Sequence, residues 1–243
     1  MRQLQAVAMH LTRKLSMQVF TVSFAKQVNA DCNRRDNNKE DLFADLFTDR
    51  NLALERKFET EHETSDWNER EVFNILTKSL PDDSDLHLSN GLSVRLGQFF
   101  SCKKNIRYFA NRGTSGIDGS TSTAAGFAAK KAQTSDFSFT TLITGDLSFL
   151  YDSNALWNKH LPDSFKIIVI NNNGGGIFRN LKGPSDLEEM REYFETPHSV
   201  NIAQLACAYG VNYAKATDKV SLNEALSKVY SPESKCSVLE IVV

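Results

Sequence analysis

Asp146 and Asn172 are the residues of this chain best suited by type and spacing to do chemistry together. Asp146 follows Leu142-Ile143-Thr144-Gly145, and the run Asn171-Asn172-Asn173-Gly174-Gly175-Gly176 follows Ile167-Ile168-Val169-Ile170. Each polar group therefore sits at the C-terminal edge of an apolar, β-branched strand signal. An acid and an amide oxygen separated by one crossover helix meet where neighbouring parallel strands end. Both are hard oxygen ligands, suited to Mg²⁺ (or Mn²⁺) that also holds phosphate oxygens. Backbone N–H groups of the helix after the first strand and of the glycine-rich turn after the second serve the same anion. Either segment alone reads as an ordinary turn or helix cap. Their conjunction at two strand ends reads as a metal–diphosphate site.

Two further strand-to-helix junctions carry polar groups. Residues 111–126 run from Asn111 and Arg112 through Gly113, Ser115, Gly116, Ile117, Asp118 and Gly119 into a string of hydroxyls. The glycines let backbone approach a ligand, and Ser120 to Thr123 place hydroxyls near a helix start. Ile117 is an isolated apolar residue suited to plugging a core or supporting an aromatic ring. Arg112 fits either a bidentate pair with a substrate carboxylate or a structural salt bridge. In residues 89–95, Asn90 is a natural helix cap, and Arg95 falls one turn into the helix, pointing toward the same crevice.

The elements that must position these groups follow from periodicity. Asp66 with Glu69 makes a capping-box-like start to a helix carried by Phe73, Leu76 and Leu80 and stopped at Pro81. Strands are expected at 86–88, 106–109, 137–144, 165–170, 211–214 and 237–243. Helices are expected at 92–100, 119–131, 149–159, 202–209 and 222–230. Such alternation implies an α/β fold, a parallel sheet with helices on both faces, joined by right-handed crossovers. Ligands of such sheets bind beyond the carboxyl ends of the strands, where all four segments fall.

Residues 1–64 differ. Dense charge at 29–41 and a short amphipathic turn at Leu42, Phe43, Leu46 and Phe47 cannot build a core. This stretch reads as the remnant of a preceding domain plus linker, or a solvated arm, and 65–243 as the α/β domain. A 41% hydrophobic content supports a real core, and a net charge of −2 argues against a nucleic-acid-coating surface. No apolar run is long enough to span a bilayer and no secretion signal begins the chain. Cys32, Cys102, Cys207 and Cys236 are dispersed, which fits a reducing cytoplasm better than a disulfide framework or zinc site.

Residues 89–95, 111–126, 145–156 (GDLSFLYDSNAL) and 170–178 (INNNGGGIF) together resemble the diphosphate-binding domain of thiamine-diphosphate enzymes. The likeness is greatest to the MenD-type synthases of menaquinone biosynthesis and continues more weakly through Tyr193-Phe194-Glu195-Thr196-Pro197-His198. Other thiamine-diphosphate enzymes usually carry Gly-Asp-Gly where this chain has Gly145-Asp146-Leu147. Gly91 and Gly176 stand where some relatives have Ser and Gln.

The resemblance implies that Mg²⁺ is held by the Asp146 carboxylate, the Asn172 side-chain oxygen and the Gly174 carbonyl, with Asn173 as the alternative amide. It implies cofactor contacts from Ser115, Ile117, Asp118 and Gly145, and diphosphate contacts from Leu147 and Ser148 by backbone and hydroxyl. Ile117 is expected beneath the cofactor, favouring its V-shaped conformation. Asn90, Arg95 and Arg112 are expected to bind substrate carboxylates, with Ile177 and Phe178 as an apolar wall. The implied activity is that of a transferase that decarboxylates 2-oxoglutarate and adds the succinyl-semialdehyde carbanion to isochorismate. A non-catalytic cofactor-binding or assembly module and a different 2-oxo-acid enzyme are the alternatives. In this family an activating glutamate comes from a separate pyrimidine-binding domain, so no catalytic residue is assigned here. The chain alone is expected to catalyse little, and the full-length enzyme to be a homo-oligomer, a dimer or tetramer.

Overall fold

The computed structural model describes residues 66–98, 100, 105–134, 137–180 and 187–243. The reading of 1–64 as remnant and linker, and Cys32 and Cys102, lie outside the described residues. Six strands form one sheet: β1 (Asp85–Leu88), β2 (Arg107–Ala110), β3 (Thr140–Gly145), β4 (Phe165–Asn171), β5 (Asn212–Ala216) and β6 (Ser237–Val242). Their order is β2-β1-β3-β4-β6-β5, and every pairing is parallel. The α-helices among the described residues are α1 (Glu69–Ser79), α2 (Leu92–Leu96), α3 (Ser120–Ala132), α4 (Asp146–Tyr151), α5 (Ile202–Ala208) and α6 (Lys219–Val229).

Strands buried on both faces read as continuous apolar runs, and successive residues serve opposite cores. Ile143, Ile168, Ile170, Leu239 and Ile241 pack with Val72, Phe73 and Leu76 of α1 and with Leu222 and Leu226 of α6. Leu142, Ile167, Val169 and Val238 point the other way, against Ala124 and Ala128 of α3, Phe149 of α4 and Ile202 of α5. Helices thus cover both faces, as periodicity implied. No helix among the described residues is long and apolar enough to cross a membrane.

Three local expectations are corrected. The helix start assigned to an Asp66–Glu69 capping box is capped by Asn68, whose side chain accepts from the N–H groups of Arg70 and Glu71. Asn68 lies immediately before the first turn, where a side-chain oxygen reaches those orphan donors. The helix expected at 149–159 is instead α4 followed, after Asp152, by a 3₁₀ segment at Ser153–Trp157. Asp152 leaves helical geometry (φ −130°, ψ 20°) and accepts from Ser122 N–H at 2.6 Å and from the Ser122 hydroxyl, tying α4 to the first turn of α3. The helix expected at 92–100 ends at Leu96. A Cβ at Gly97 would sit 2.5 Å from Leu88 Cδ1, so the chain passes close over the end of β1.

Trp67 Nε1 donates to the Val242 carbonyl at 2.7 Å, pinning the start of α1 over the carboxyl end of β6. Because β6 neighbours β4, this contact brings Glu69 above the glycine-rich turn.

His87 of β1 is buried, stacked on Phe109 with ring centroids 4.7 Å apart and edge-on to Phe127 at 4.9 Å. Burial lowers its pKa from about 6.5 to about 4, with the Asp85 charge offsetting part of the effect. Below pH 6.5 the unfolded chain takes up a proton that the folded chain refuses. Stability therefore falls as pH drops from 6.5 toward 4, by ~3 kcal/mol for the full shift. His87→Phe is expected to flatten that part of the acid slope in urea denaturation at pH 7, 6 and 5. An unchanged slope would remove His87 as its source.

Candidate functional site

Four strand ends open into one cavity of about 580 Å³, within the usual range for small-molecule sites. The loop after β1 contributes Asn90 and Gly91, the loop after β2 Arg112 and residues 115–117, β3 and α4 residues 145–148, and the turn after β4 Asn172 and residues 174–178. Glu69 and Phe73 of α1 form one wall. The cavity lies where β1 and β3 are neighbours although β2 intervenes in sequence, the switch point at which open α/β sheets bind ligands.

Asp146 is 1% exposed. Its Oδ1 accepts from Leu147 N–H at 2.7 Å and its Oδ2 from Gly174 N–H at 2.7 Å, with His198 Nε2 3.1 Å from Oδ2. Burial raises its pKa, while these two amides and His198 oppose that shift. The carboxylate therefore bridges the β3 end and the glycine turn. Asn172 donates from Nδ2 to Glu69 Oε1 at 2.8 Å, and its Oδ1 is buried without a hydrogen-bond partner. A buried acceptor left unmade is costly, and in a cavity also lined by a buried carboxylate it is the arrangement a hard cation completes. Among the described residues no three His, Cys, Asp or Glu side chains group as a metal set. A cation here would draw on one carboxylate, an amide, carbonyl oxygens and the ligand itself. The residues fit.

Gly174 has φ +141°, and its carbonyl accepts from Gly176 N–H at 3.0 Å, leaving one lone pair. A Cβ there would meet the Glu195 carbonyl at 2.5 Å. Residues 195–198 thus strap the turn. Gly175 N–H donates to that carbonyl at 2.7 Å, Arg179 pairs with the Glu195 carboxylate at 2.5 Å, and His198 reaches Asp146.

Of the residues expected at the site, all but Asp118 line the cavity. Asp118 is exposed, and its Oδ1 is 2.5 Å from where a Gly116 Cβ would be, outside the lining. Of the two candidate amides, Asn172 lines the cavity. Asn173 turns away at φ +62°, its Oδ1 accepting from His198 N–H at 3.4 Å. The Ser148 hydroxyl donates to the Ile117 carbonyl at 2.5 Å, so its proton holds the β2 loop and only its lone pairs face the cavity.

Asn90 is not the helix cap, which is Gly91. Its Nδ2 donates to the carbonyls of Asn111 (2.7 Å) and Gly116 (2.6 Å), and its Oδ1 accepts from Arg112 Nη1 at 2.6 Å. A buried amide so engaged shapes the β2 loop and holds the Arg112 guanidinium, with no amide hydrogen left over for a ligand carboxylate. Arg112 forms no ion pair with a carboxylate among the described residues. Arg95 is exposed and donates from Nη1 to the Gly91 carbonyl at 2.8 Å. Ile177 and Phe178 lie in a 3₁₀ turn (Gly176–Asn180), with Phe178 edge-on to Phe194 at 5.5 Å.

Sequence reasoning missed Glu69, Phe73, Glu195 and His198. Glu69 was visible only as a capping partner, and Phe73 only as a core position. His198 and Glu195 lay in a stretch of weak likeness with no periodic signal.

A parallel α/β sheet with a buried carboxylate and an unpartnered amide oxygen lining one cavity beyond its strand ends defines a class. The family described as thiamine pyrophosphate enzyme, C-terminal TPP binding domain, matches residues 91–241, and the chain belongs to it. The fold agrees with that of benzoylformate decarboxylase from Polynucleobacter necessarius, at TM-score 0.61 and 17% identity over 74% of this chain and 34% of that one. Within the family, the chain is similar to 2-succinyl-5-enolpyruvyl-6-hydroxy-3-cyclohexene-1-carboxylate synthase. It is 48% identical to the Flavobacterium johnsoniae protein over 170 residues, 70% of this chain and 30% of the relative. It is 38% identical to the Porphyromonas gingivalis protein over 196 residues, 77% and 33% of the two chains. The chain spans about a third of the length of these relatives.

Gly174→Ala is expected to destabilise the fold by more than Gly210→Ala. Both glycines have positive φ, but only at Gly174 would the new Cβ strike backbone, while Gly210 has open space around it. The left-handed conformation alone accounts for ~1–2 kcal/mol, and the clash adds ~1–3 kcal/mol. Parallel thermal denaturation of the two variants checks this, and equal losses would mean that the Glu195 strap yields freely.

Proposed function

We propose that residues 65–243 are the Mg²⁺- and diphosphate-binding domain of a thiamine-diphosphate-dependent synthase that joins decarboxylated 2-oxoglutarate to isochorismate, giving 2-succinyl-5-enolpyruvyl-6-hydroxy-3-cyclohexene-1-carboxylate. The carrying observation is that the buried Asp146 carboxylate and the unpartnered Asn172 Oδ1 belong to residues lining one cavity at adjacent strand ends. The choice of substrates rests on identities of 38–48% to synthases of that name.

The bound coenzyme would supply the electron sink for loss of CO₂. The protein supplies position and charge. Asp146, Asn172 Oδ1 and the free lone pair of the Gly174 carbonyl would hold the cation. The backbone at Leu147 and Ser148 would face the diphosphate, and Ile117 would support the coenzyme from the β2 loop. Arg95 and Arg112 rim the same cavity and give it the positive charge that anionic substrates require. The Asn90–Arg112 bond presents the guanidinium in one orientation, so less freedom is lost when a carboxylate docks.

Calorimetry of this chain is expected to show magnesium-dependent thiamine diphosphate binding, abolished in Asp146→Ala. Affinity untouched by that substitution would sink the metal assignment. Where turnover of 2-oxoglutarate with isochorismate is reconstituted, Arg95→Ala and Arg112→Ala should each raise the KM for a substrate by about tenfold or more, the loss of one charge-assisted hydrogen bond. Coenzyme affinity should hardly move. Equal losses of both would show that the arginines serve the coenzyme.

A further inference from the structure

A carboxamide presents an acceptor oxygen and a donor NH₂ of nearly the same shape, and only the oxygen can bind a cation. The turn that carries Asn172 does not by itself decide which end faces the cavity. The neighbour on the other side decides it. Glu69 Oε1 lies 2.8 Å from Asn172 Nδ2, and reversing the amide would set two acceptor oxygens against each other at that separation. Oδ1 is thereby directed away from Glu69, where it is buried and unpartnered among the residues lining the cavity. Gly176 makes room for this arrangement, since a Cβ there would fall 2.3 Å from Nδ2. Glu69 is itself held at the start of α1 by the Asn68 cap and by the Trp67 bond to Val242. It lies outside the 91–241 segment matched by the family.

We propose that Glu69 is a positioning residue of the cation site, its carboxylate orienting the Asn172 amide so that Oδ1 faces the ion held with Asp146. This rests on the reading above in taking Asn172 as a ligand. It adds a carboxylate that never touches the cation yet determines whether the site can form.

The test uses the full 243-residue chain. Without metal or coenzyme, one Asn172 Nδ2 proton should resonate downfield through its bond to a carboxylate and shift back in Glu69→Gln. In calorimetry, Glu69→Ala should weaken magnesium-dependent thiamine diphosphate binding about 10- to 100-fold while the melting of the metal-free chain stays close to wild type. Asn172→Asp keeps a ligand oxygen but sets a carboxylate against Glu69, so it should bind poorly. Glu69→Gln combined with Asn172→Asp should bind better than Asn172→Asp alone, because the glutamine amide donates where the glutamate repelled. A Glu69 that merely packs would give additive losses instead. Additive losses, or unchanged affinity in Glu69→Ala while Asp146→Ala abolishes binding, would overturn the role of Glu69 and leave the cation site standing. Binding that survives Asp146→Ala would instead overturn the site itself, and the role of Glu69 with it.

Discussion

The parallel pairing of β3 with β4 is the constraint on which the site depends. Its register sets Gly145 beside Ile170, so Asp146 follows the end of β3 next to Asn171, the last residue of β4, and Asn172 comes one residue further on. A shift of one residue would turn Leu142 and Ile143, or Ile167 and Ile168, into the wrong cores. Because both faces of both strands are buried, that slip would misplace apolar side chains in two cores at once. The cores therefore define where the strands end, and the ends define where a carboxylate and an amide can meet. Packing energy far from the cavity fixes its geometry.

Holding Asp146 there works against the fold. Burial disfavours its charged form, and a buried carboxylate without full compensation lowers stability. Partial compensation comes from backbone, since the N–H groups of Leu147 and Gly174 point at the two oxygens. The turn can present Gly174 N–H because its φ of +141° is open to glycine, and because the missing Cβ lets the Glu195 strap close over it. The unpartnered Asn172 oxygen is a second local cost. Two such costs side by side, in a cavity of coenzyme size, are what a bound cation and diphosphate would relieve.

How much of this was legible in the sequence depended on the range of the determining contact. The six strands and their crossovers were legible because apolar runs and helical spacing are local, and observed strand bounds depart from expectation by at most three residues. The two strand-end motifs were legible because type and spacing coincide within a single βαβ unit. What failed was set by partners distant in the chain. The helix broken at Asp152 was invisible because its carboxylate serves Ser122, thirty positions earlier. Asn90 looked like a cap because nothing local shows that its amide is divided among Asn111, Gly116 and Arg112. Glu69 looked like a capping partner, since its distance from Asn172 in space cannot be read across a sequence separation of 103.

The pairing of one carboxylate with one carboxamide at the strand ends follows from charge. A diphosphate brings its own negative charge to a divalent cation, so a second carboxylate in direct contact would add repulsion to a buried site. Two like charges about 4 Å apart oppose each other by ~1–4 kcal/mol at dielectric constants between water and a protein surface. An amide supplies an oxygen without that charge, but it brings the risk of pointing its NH₂ at the ion. Glu69 removes the risk by accepting from that NH₂. On that reading the second negative charge is kept, one residue back from where the ion would sit, and would draw the cation inward without crowding the diphosphate. The amide would thus relay a carboxylate's preference to the ion while standing between the two.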